Sequence, residues 1–219
     1  MPTSPCASGL SASRGPDRET GGSGRRCMWL DGWMHSNKSA GPPVRLCTAG
    51  DMPTADQVEA LYAAASGPPP LSEPAGVAAI FAGLYGSNRD RPDVVAAAAH
   101  LDGELVGFAY GHPWHWGRED DPWSQLLRDR LGDDAAALIE NSFSVVLLAV
   151  HPDAGRRGVG AGLLEALMVG SGSRTHWLQT TDIDSPARRL YLRHGYEELG
   201  HGPDAPNWKP GLVLIHTGA

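Results

Sequence analysis

Arg156-Arg157-Gly158-Val159-Gly160-Ala161-Gly162 combines fixed positive charge with a backbone that a ligand can approach closely. Upstream, residues 143–150 form a short apolar run rich in β-branched residues, which reads as a buried strand. His151-Pro152-Asp153 closes it, because proline cannot continue a ladder and aspartate favours a turn. Downstream, Leu163, Leu164, Leu167 and Met168 recur at helical spacing. Strand, glycine-rich turn and helix therefore follow one another. The first N–H groups of such a helix lack internal partners, and the helix dipole adds positive potential beside them. This turn suits a pyrophosphate, with the amides from Gly158 to Gly162 as donors and Arg156 and Arg157 as charge. The plainer alternative is a tight turn that needs glycine only for positive φ.

A second patterned stretch is Asp184-Ser185-Pro186-Ala187-Arg188-Arg189-Leu190-Tyr191-Leu192-Arg193-His194-Gly195-Tyr196. Ser185 is a good helix cap, with Pro186 in the first turn, where its missing N–H costs nothing. His176 to Thr181 between the two stretches reads as a strand. Residues 157–162 fit the Arg/Gln-x-x-Gly-x-Gly/Ala signature of the GNAT superfamily of acetyl-CoA-dependent N-acetyltransferases. The second stretch resembles that family's Asn-x-x-Ala-x-x-Leu-Tyr-x-x-x-Gly-Phe/Tyr element. The resemblance spans residues 44–219, with the specific motifs inside 143–200.

The resemblance implies an α/β fold: a mixed, mostly antiparallel twisted sheet flanked by helices, with splayed central strands. It implies acetyl-CoA as co-substrate and direct attack by a small-molecule or peptide amine in a ternary complex, and it leaves room for a homodimer. The backbone of Leu148 and Val150 would hold the pantetheine arm, and the turn Arg156, Arg157, Gly158, Val159, Gly160, Ala161 and Gly162 the pyrophosphate. Asp184 is grouped with the cofactor-binding residues because it stands where the family often has Asn, a departure that concerns helix capping more than catalysis. Tyr191 falls at the family's general acid, the group that protonates the departing thiolate. A phenol of pKa about 10 is uphill of a thiol of about 8.5 by only about 1.5 units.

The general base is left open. An alkylamine is protonated at neutral pH and must lose a proton before it attacks. Many relatives carry a Glu on the strand before the loop, but residues 143–150 offer no carboxylate. His112, His115, Asp182 and Asp184 are the alternatives, although residues of these kinds more often serve as surface or capping residues. His112-Pro113-Trp114-His115-Trp116 lacks a third ligand for a metal site, so no metal is expected. Trp114, Trp116 and Trp123 line an acceptor pocket or cover a small core of their own.

The elements that must position these groups begin after a Gly/Ser/Pro-rich tail, residues 1–43, whose composition cannot bury enough apolar surface to offset ordering. Val44 to Cys47 reads as a strand, and a helix capped by Asp51 or Thr54 runs to about Ala64. A second helix over 73–84 presents Val77, Ile80, Phe81 and Leu84. Asp102-Gly103 joins strands 94–101 and 104–111 in a hairpin. Asp121 starts a helix with Trp123, Leu126, Leu127 and Leu131, followed by a shorter piece from Asp133 or Asp134. Residues 196–199 and 211–216 are closing strands.

The formal charge of −7 argues against a nucleic-acid binder, which needs clustered Lys and Arg. Cys6, Cys27 and Cys47 form neither a disulfide framework nor a zinc spacing. No apolar run suits a signal peptide or a membrane span, so a cytoplasmic protein is expected. Two rivals are weighed. Gly158 to Gly162 with Asp182 resembles a dinucleotide-binding turn, but the motif comes late and its arginines precede the glycines. A non-catalytic acyl-CoA-binding domain is the other.

Overall fold

The computed structural model describes residues 41–218, so the expected tail lies outside the described residues except for Gly41, Pro42 and Pro43. In chain order the elements are β1 (Val44–Leu46), α1 (Ala55–Ser66), α2 (Val77–Asn88), β2 (Val95–Leu101), β3 (Glu104–Trp114), α3 (Pro122–Ile139), β4 (Ser142–Val150), α4 (Val159–Ser171), β5 (Thr175–Thr181), α5 (Pro186–Arg193), β6 (Glu197–Gly202) and β7 (Gly211–Thr217). The strands form one sheet in the order β1-β2-β3-β4-β5-β7-β6. Only β4 and β5 are parallel neighbours; every other pair is antiparallel. The sheet is therefore the mixed, mostly antiparallel one expected.

Local chemistry explains most boundaries. Asp102 and Gly103 turn with φ of 52° and 87°, the two positive values a tight two-residue hairpin requires. Thr54 and Gln57 form a reciprocal capping box on α1, which settles the start in favour of Thr54 over Asp51. Asp121 caps α3 with Pro122 in its first turn, and Gly132, at φ 75°, breaks that helix into two pieces. The hairpin strand runs beyond Gly111 through Trp114, with Pro113 paired opposite Phe143.

Helix α2 differs from expectation. It starts at Val77 and continues to Asn88, and its buried residues are Val77, Ala78, Ala82 and Tyr85. Ile80 and Leu84 are exposed instead. The helix is apolar on most of its circumference, and the stripe that is buried carries Tyr85, whose ring meets Phe108 and Tyr110 at 5.1 and 5.2 Å.

Two clusters cover opposite faces of β2–β4. Val58, Leu61 and Tyr85 from α1 and α2 pack on Phe108, Tyr110, Leu147 and Ala149. Leu163, Leu164 and Leu167 of α4 and Leu190 and Tyr191 of α5 pack on Ala97, Ala109 and Val145. A third cluster sets Leu127 and Ile139 of α3 against Trp177, Val213 and Ile215. Among the described residues no helix is long and apolar enough to cross a membrane.

Candidate active site

Strand β4 is paired along one edge and open along the other. With β3 it forms a ladder from Ser142 to Val150, whereas with β5 only Phe143↔His176 and Ser144↔Trp177 are in register. Meanwhile β5 is paired with β7 over its whole length. From Val145 onward β4 and β5 diverge, giving the expected splay. The alternation of a β-strand fixes which groups line the opening. His151 donates to the Val106 carbonyl at 2.9 Å, so Ala149 also turns its backbone toward β3. Leu148 and Val150 turn theirs the other way, into the opening. Their side chains are half-buried against the α4 cluster. An extra residue, Val146, sits in β4 where the register shifts between Tyr110 and Gly111, and this bulge bends the strand at the mouth of the gap.

The glycine turn lies at the end of that edge. Arg156 and Gly158 have φ of 59° and 84°, so the chain reverses through two left-handed residues before α4 begins. Helices α1, α3 and α5 have side-chain caps, but the α4 cap is Gly158 and supplies no acceptor. The first bond of the ladder is Gly162 N–H to the Gly158 carbonyl at 2.9 Å. Val159, Gly160 and Ala161 therefore hold the amides without an intrahelical partner. Arg156 and Arg157 are exposed beside them, and neither forms an ion pair among the described residues.

The structure divides the glycines by task. Gly158 is needed for its positive φ, since a Cβ there would meet nothing within 4 Å. A Cβ on Gly160 would stand 3.2 Å from Leu190 Cδ2, and one on Gly162 3.0 Å from Val44 Cγ2. Gly160 thus brings α4 onto α5, and Gly162 brings it onto β1. The expectation that every amide from Gly158 to Gly162 is a free donor needs correction at Gly162, whose N–H belongs to the helix.

Helix α5 carries Tyr191. Ser185 caps it by accepting from Arg188 N–H at 3.1 Å. At its other end Tyr196 N–H reaches the Tyr191 carbonyl at 3.1 Å and Gly195 N–H reaches Leu192 at 3.1 Å, across Gly195 at φ 78°. These two bonds define a Schellman motif, and the Tyr191–Tyr196 ring pair at 5.8 Å is its apolar contact. The Leu-Tyr-x-x-x-Gly-Tyr pattern is thus a helix stop that fixes the Tyr191 backbone. Tyr191 is 6% exposed, and burial pushes its phenol well above the usual range. It is therefore protonated at every physiological pH, the state a proton donor needs, although transfer to a thiolate becomes more uphill.

The open question of the base narrows. Asp182 is engaged by Arg188 at 2.8 Å and His201 at 2.9 Å, and His201 above all holds its carboxyl below the usual range. Asp184 is exposed, pairs with Arg189, and leaves the capping of α5 to Ser185. His112 is buried where β3 is in register with Ser144, the closed end of the splay, and burial lowers its pKa. His115 bonds the Asn141 side chain at 2.9 Å.

Trp114 and Trp116 take the second of their two readings, and Trp123 does not. Trp114 is 4% exposed and packs edge-on against Trp116 at 5.1 Å and Trp177 at 4.7 Å. They build the core under α3 rather than a pocket wall, while Trp123 stands exposed on α3. Among the described residues no group of three or more His, Cys, Asp or Glu is placed to hold a metal. The dinucleotide-binding rival fails on topology, since a doubly wound fold needs an open, mostly parallel sheet.

Residues 93–198 match the family described as an acetyltransferase (GNAT) domain. The fold is similar to that of a protein from Desulfovibrio desulfuricans described as a GNAT-family acetyltransferase, at 17% identity and a TM-score of 0.53, covering 81% of this chain and 100% of that one. It is also similar to a Corynebacterium glutamicum protein described as histone acetyltransferase HPA2 and related acetyltransferase, at 21% identity and a TM-score of 0.55 over 82% and 97% of the two chains. The ribosomal-protein-S18-alanine N-acetyltransferase of Escherichia coli is similar at 16% identity, with a TM-score of 0.51 over 80% and 94%. No protein of curated function matches the sequence.

Proposed function

We propose, for a chain that carries a GNAT acetyltransferase domain, that it transfers an acetyl group from acetyl-CoA to a small-molecule or peptide amine. The observation that carries this reading is the unpaired β4 edge running directly into the uncapped N-terminus of α4. A linear pantetheine amide fits the first, and a pyrophosphate the second. In this reading the Val159, Gly160 and Ala161 amides donate to phosphate oxygens, and Arg156 and Arg157 add charge. Leu148 and Val150 hold the pantetheine arm by backbone hydrogen bonds. Bound acetyl-CoA would supply an activated thioester carbonyl. Tyr191 would give its phenolic proton to the departing sulfur. The site would raise the rate mainly by holding amine and thioester in one orientation.

The missing carboxylate on β4 favours one second reading, a domain that binds acyl-CoA without turning it over. One experiment separates the two. Acetyl-CoA at ~100 times its Kd should add about 2.7 kcal/mol of stability, or roughly 5–10 °C in Tm for a domain of this size. NAD⁺ should add none. Thiol release on addition of a primary amine then supports the enzyme. A thermal shift without release for any amine supports the binding domain, and no shift with acetyl-CoA defeats both.

A further inference from the structure

Gly41-Pro42-Pro43 leads into β1 from the stretch expected to be tail. The two prolines fix φ at their own positions and restrict the residue ahead of each, so the lead-in is stiff. Beyond it, β1 is held by its ladder with β2, Val44 opposite Ala99. The lead-in and strand also run along α4. A Cβ on Gly162 would stand 3.0 Å from Val44 Cγ2, and one on Gly170 2.9 Å from Leu46 Cδ2. The series reaches the first turn of the helix, where Gly41 meets Arg157 and Val159.

The nearest atom to Gly41 in that series belongs to the backbone. A Cβ on Gly41 would stand 2.5 Å from the Arg157 carbonyl oxygen, 3.0 Å from Arg157 Cβ and 3.2 Å from Val159 Cγ2. Glycine alone fits there, and the Cα–H bond that replaces Cβ is directed toward the oxygen, a weak Cα–H···O contact. Val159 is 3% exposed and lies between two glycines, with Cγ1 toward Gly107 of β3 and Cγ2 toward Gly41. The Arg157 carbonyl thus lies on the Gly41 side of its peptide, and the Gly158 N–H points the opposite way. Related turns differ by rotation of one peptide plane, and Gly158, at φ 84°, has no side chain to oppose that rotation. A carbonyl turned outward beside the Val159, Gly160 and Ala161 amides would set negative charge against an anion.

We infer that Gly41 is a positioning residue for the proposed phosphate site, acting through the Arg157 carbonyl and the Val159 side chain it seats against. It keeps that carbonyl turned from the anion and sets the first free amide of α4. This rests on the acetyl-CoA reading above. Gly41 itself touches no ligand in this arrangement. Its effect is on the shape of the donor surface, whereas Arg156 and Arg157 set the charge. The turn is thereby coupled to the chain ahead of β1, which lies outside the family match at residues 93–198.

The test compares the full-length wild type, Gly41→Ala, Val159→Ala and the double variant. In ¹⁵N spectra of the free proteins, Gly41→Ala should move the Val159, Gly160 and Ala161 amide resonances and leave those of Leu148 and Val150 in place. Calorimetric titration should show acetyl-CoA bound about tenfold more weakly for each phosphate hydrogen bond lost. The salt dependence of binding should match the wild type, because both arginines remain. Adding Val159→Ala should not restore affinity, since it relieves only the 3.2 Å contact and leaves the one to the carbonyl oxygen. Wild-type affinity in Gly41→Ala, recovery in the double variant, or equal displacement of the Leu148 and Val150 resonances would each overturn the inference. The last result would make Gly41 a general packing residue. A wild-type chain that does not bind acetyl-CoA would instead remove the reading on which the inference rests.

Discussion

Gly107 of β3 offers a way to disturb the proposed phosphate-binding turn without touching it. It lies opposite Val150, and a Cβ there would stand 2.6 Å from Val159 Cγ1, 3.2 Å from Leu163 Cδ1 and 3.4 Å from Ala99 Cβ. Carbon atoms prefer about 3.5–4.0 Å, so Gly107→Ala drives the new methyl about 1 Å too deep into Val159. Val159 cannot rotate away easily, because a β-branched side chain in a helix has one favoured rotamer. The first turn of α4 must shift instead, carrying the free amides with it. Overpacking of this kind costs about 1–3 kcal/mol, and each kcal/mol is worth roughly 2–4 °C in a domain of this size. Acetyl-CoA affinity should fall about tenfold for each phosphate hydrogen bond that the shift breaks. Val159→Ala removes the clashing methyls, so the double variant should recover most of both losses, with a coupling of about 1–3 kcal/mol. Chemical denaturation and calorimetric titration of the four proteins give both quantities. An additive cycle, or a Gly107→Ala variant as stable as the wild type, would refute the packing argument.

Other expectations concern the turn, the helix stop and the far end of the sheet. Replacing Arg156 or Arg157 by Ala should weaken acetyl-CoA binding by up to about tenfold each and flatten its salt dependence, with little effect on Tm, since both are exposed. Isothermal titration at two salt concentrations checks this. Gly195→Ala should cost about 1 kcal/mol, because φ there is 78° while the nearest atom to a new Cβ is 3.5 Å away. Gly195→Asn should cost less, and a denaturation series reads the difference. His176 is 2% exposed, and burial, with His216 adding to it, depresses its pKa from 6.5 to about 4. The unfolded chain therefore binds the extra proton between those values. Stability should fall as pH drops from about 6.5 to about 4 and level off below, and His176→Gln should flatten that slope.

Much of the site was legible because its signals are local. The apolar run of β4, the left-handed Gly158 and the caps Thr54, Asp121 and Ser185 each follow from residues within a few positions. What escaped depends on distant partners. Helix α2 is apolar on most sides, so periodicity cannot say that Ala78, Ala82 and Tyr85 are buried while Ile80 and Leu84 are exposed. Trp114 and Trp116 look alike whether they line a pocket or fill a core, and only the neighbourhood of Trp177 decides. Gly160 and Gly162 fit a phosphate motif and also a helix that must approach α5 and β1 closely.

Acetyl-CoA binding as proposed requires one continuous donor surface from the β4 edge to the start of α4. The most direct test follows backbone amide resonances of the ¹⁵N-labelled chain as acetyl-CoA is titrated in. Leu148, Val150, Val159, Gly160 and Ala161 should show the largest shifts, while Ala149 and Gly162, already bonded, should change little. Saturating binding with the largest shifts elsewhere, or no binding at all, would contradict it.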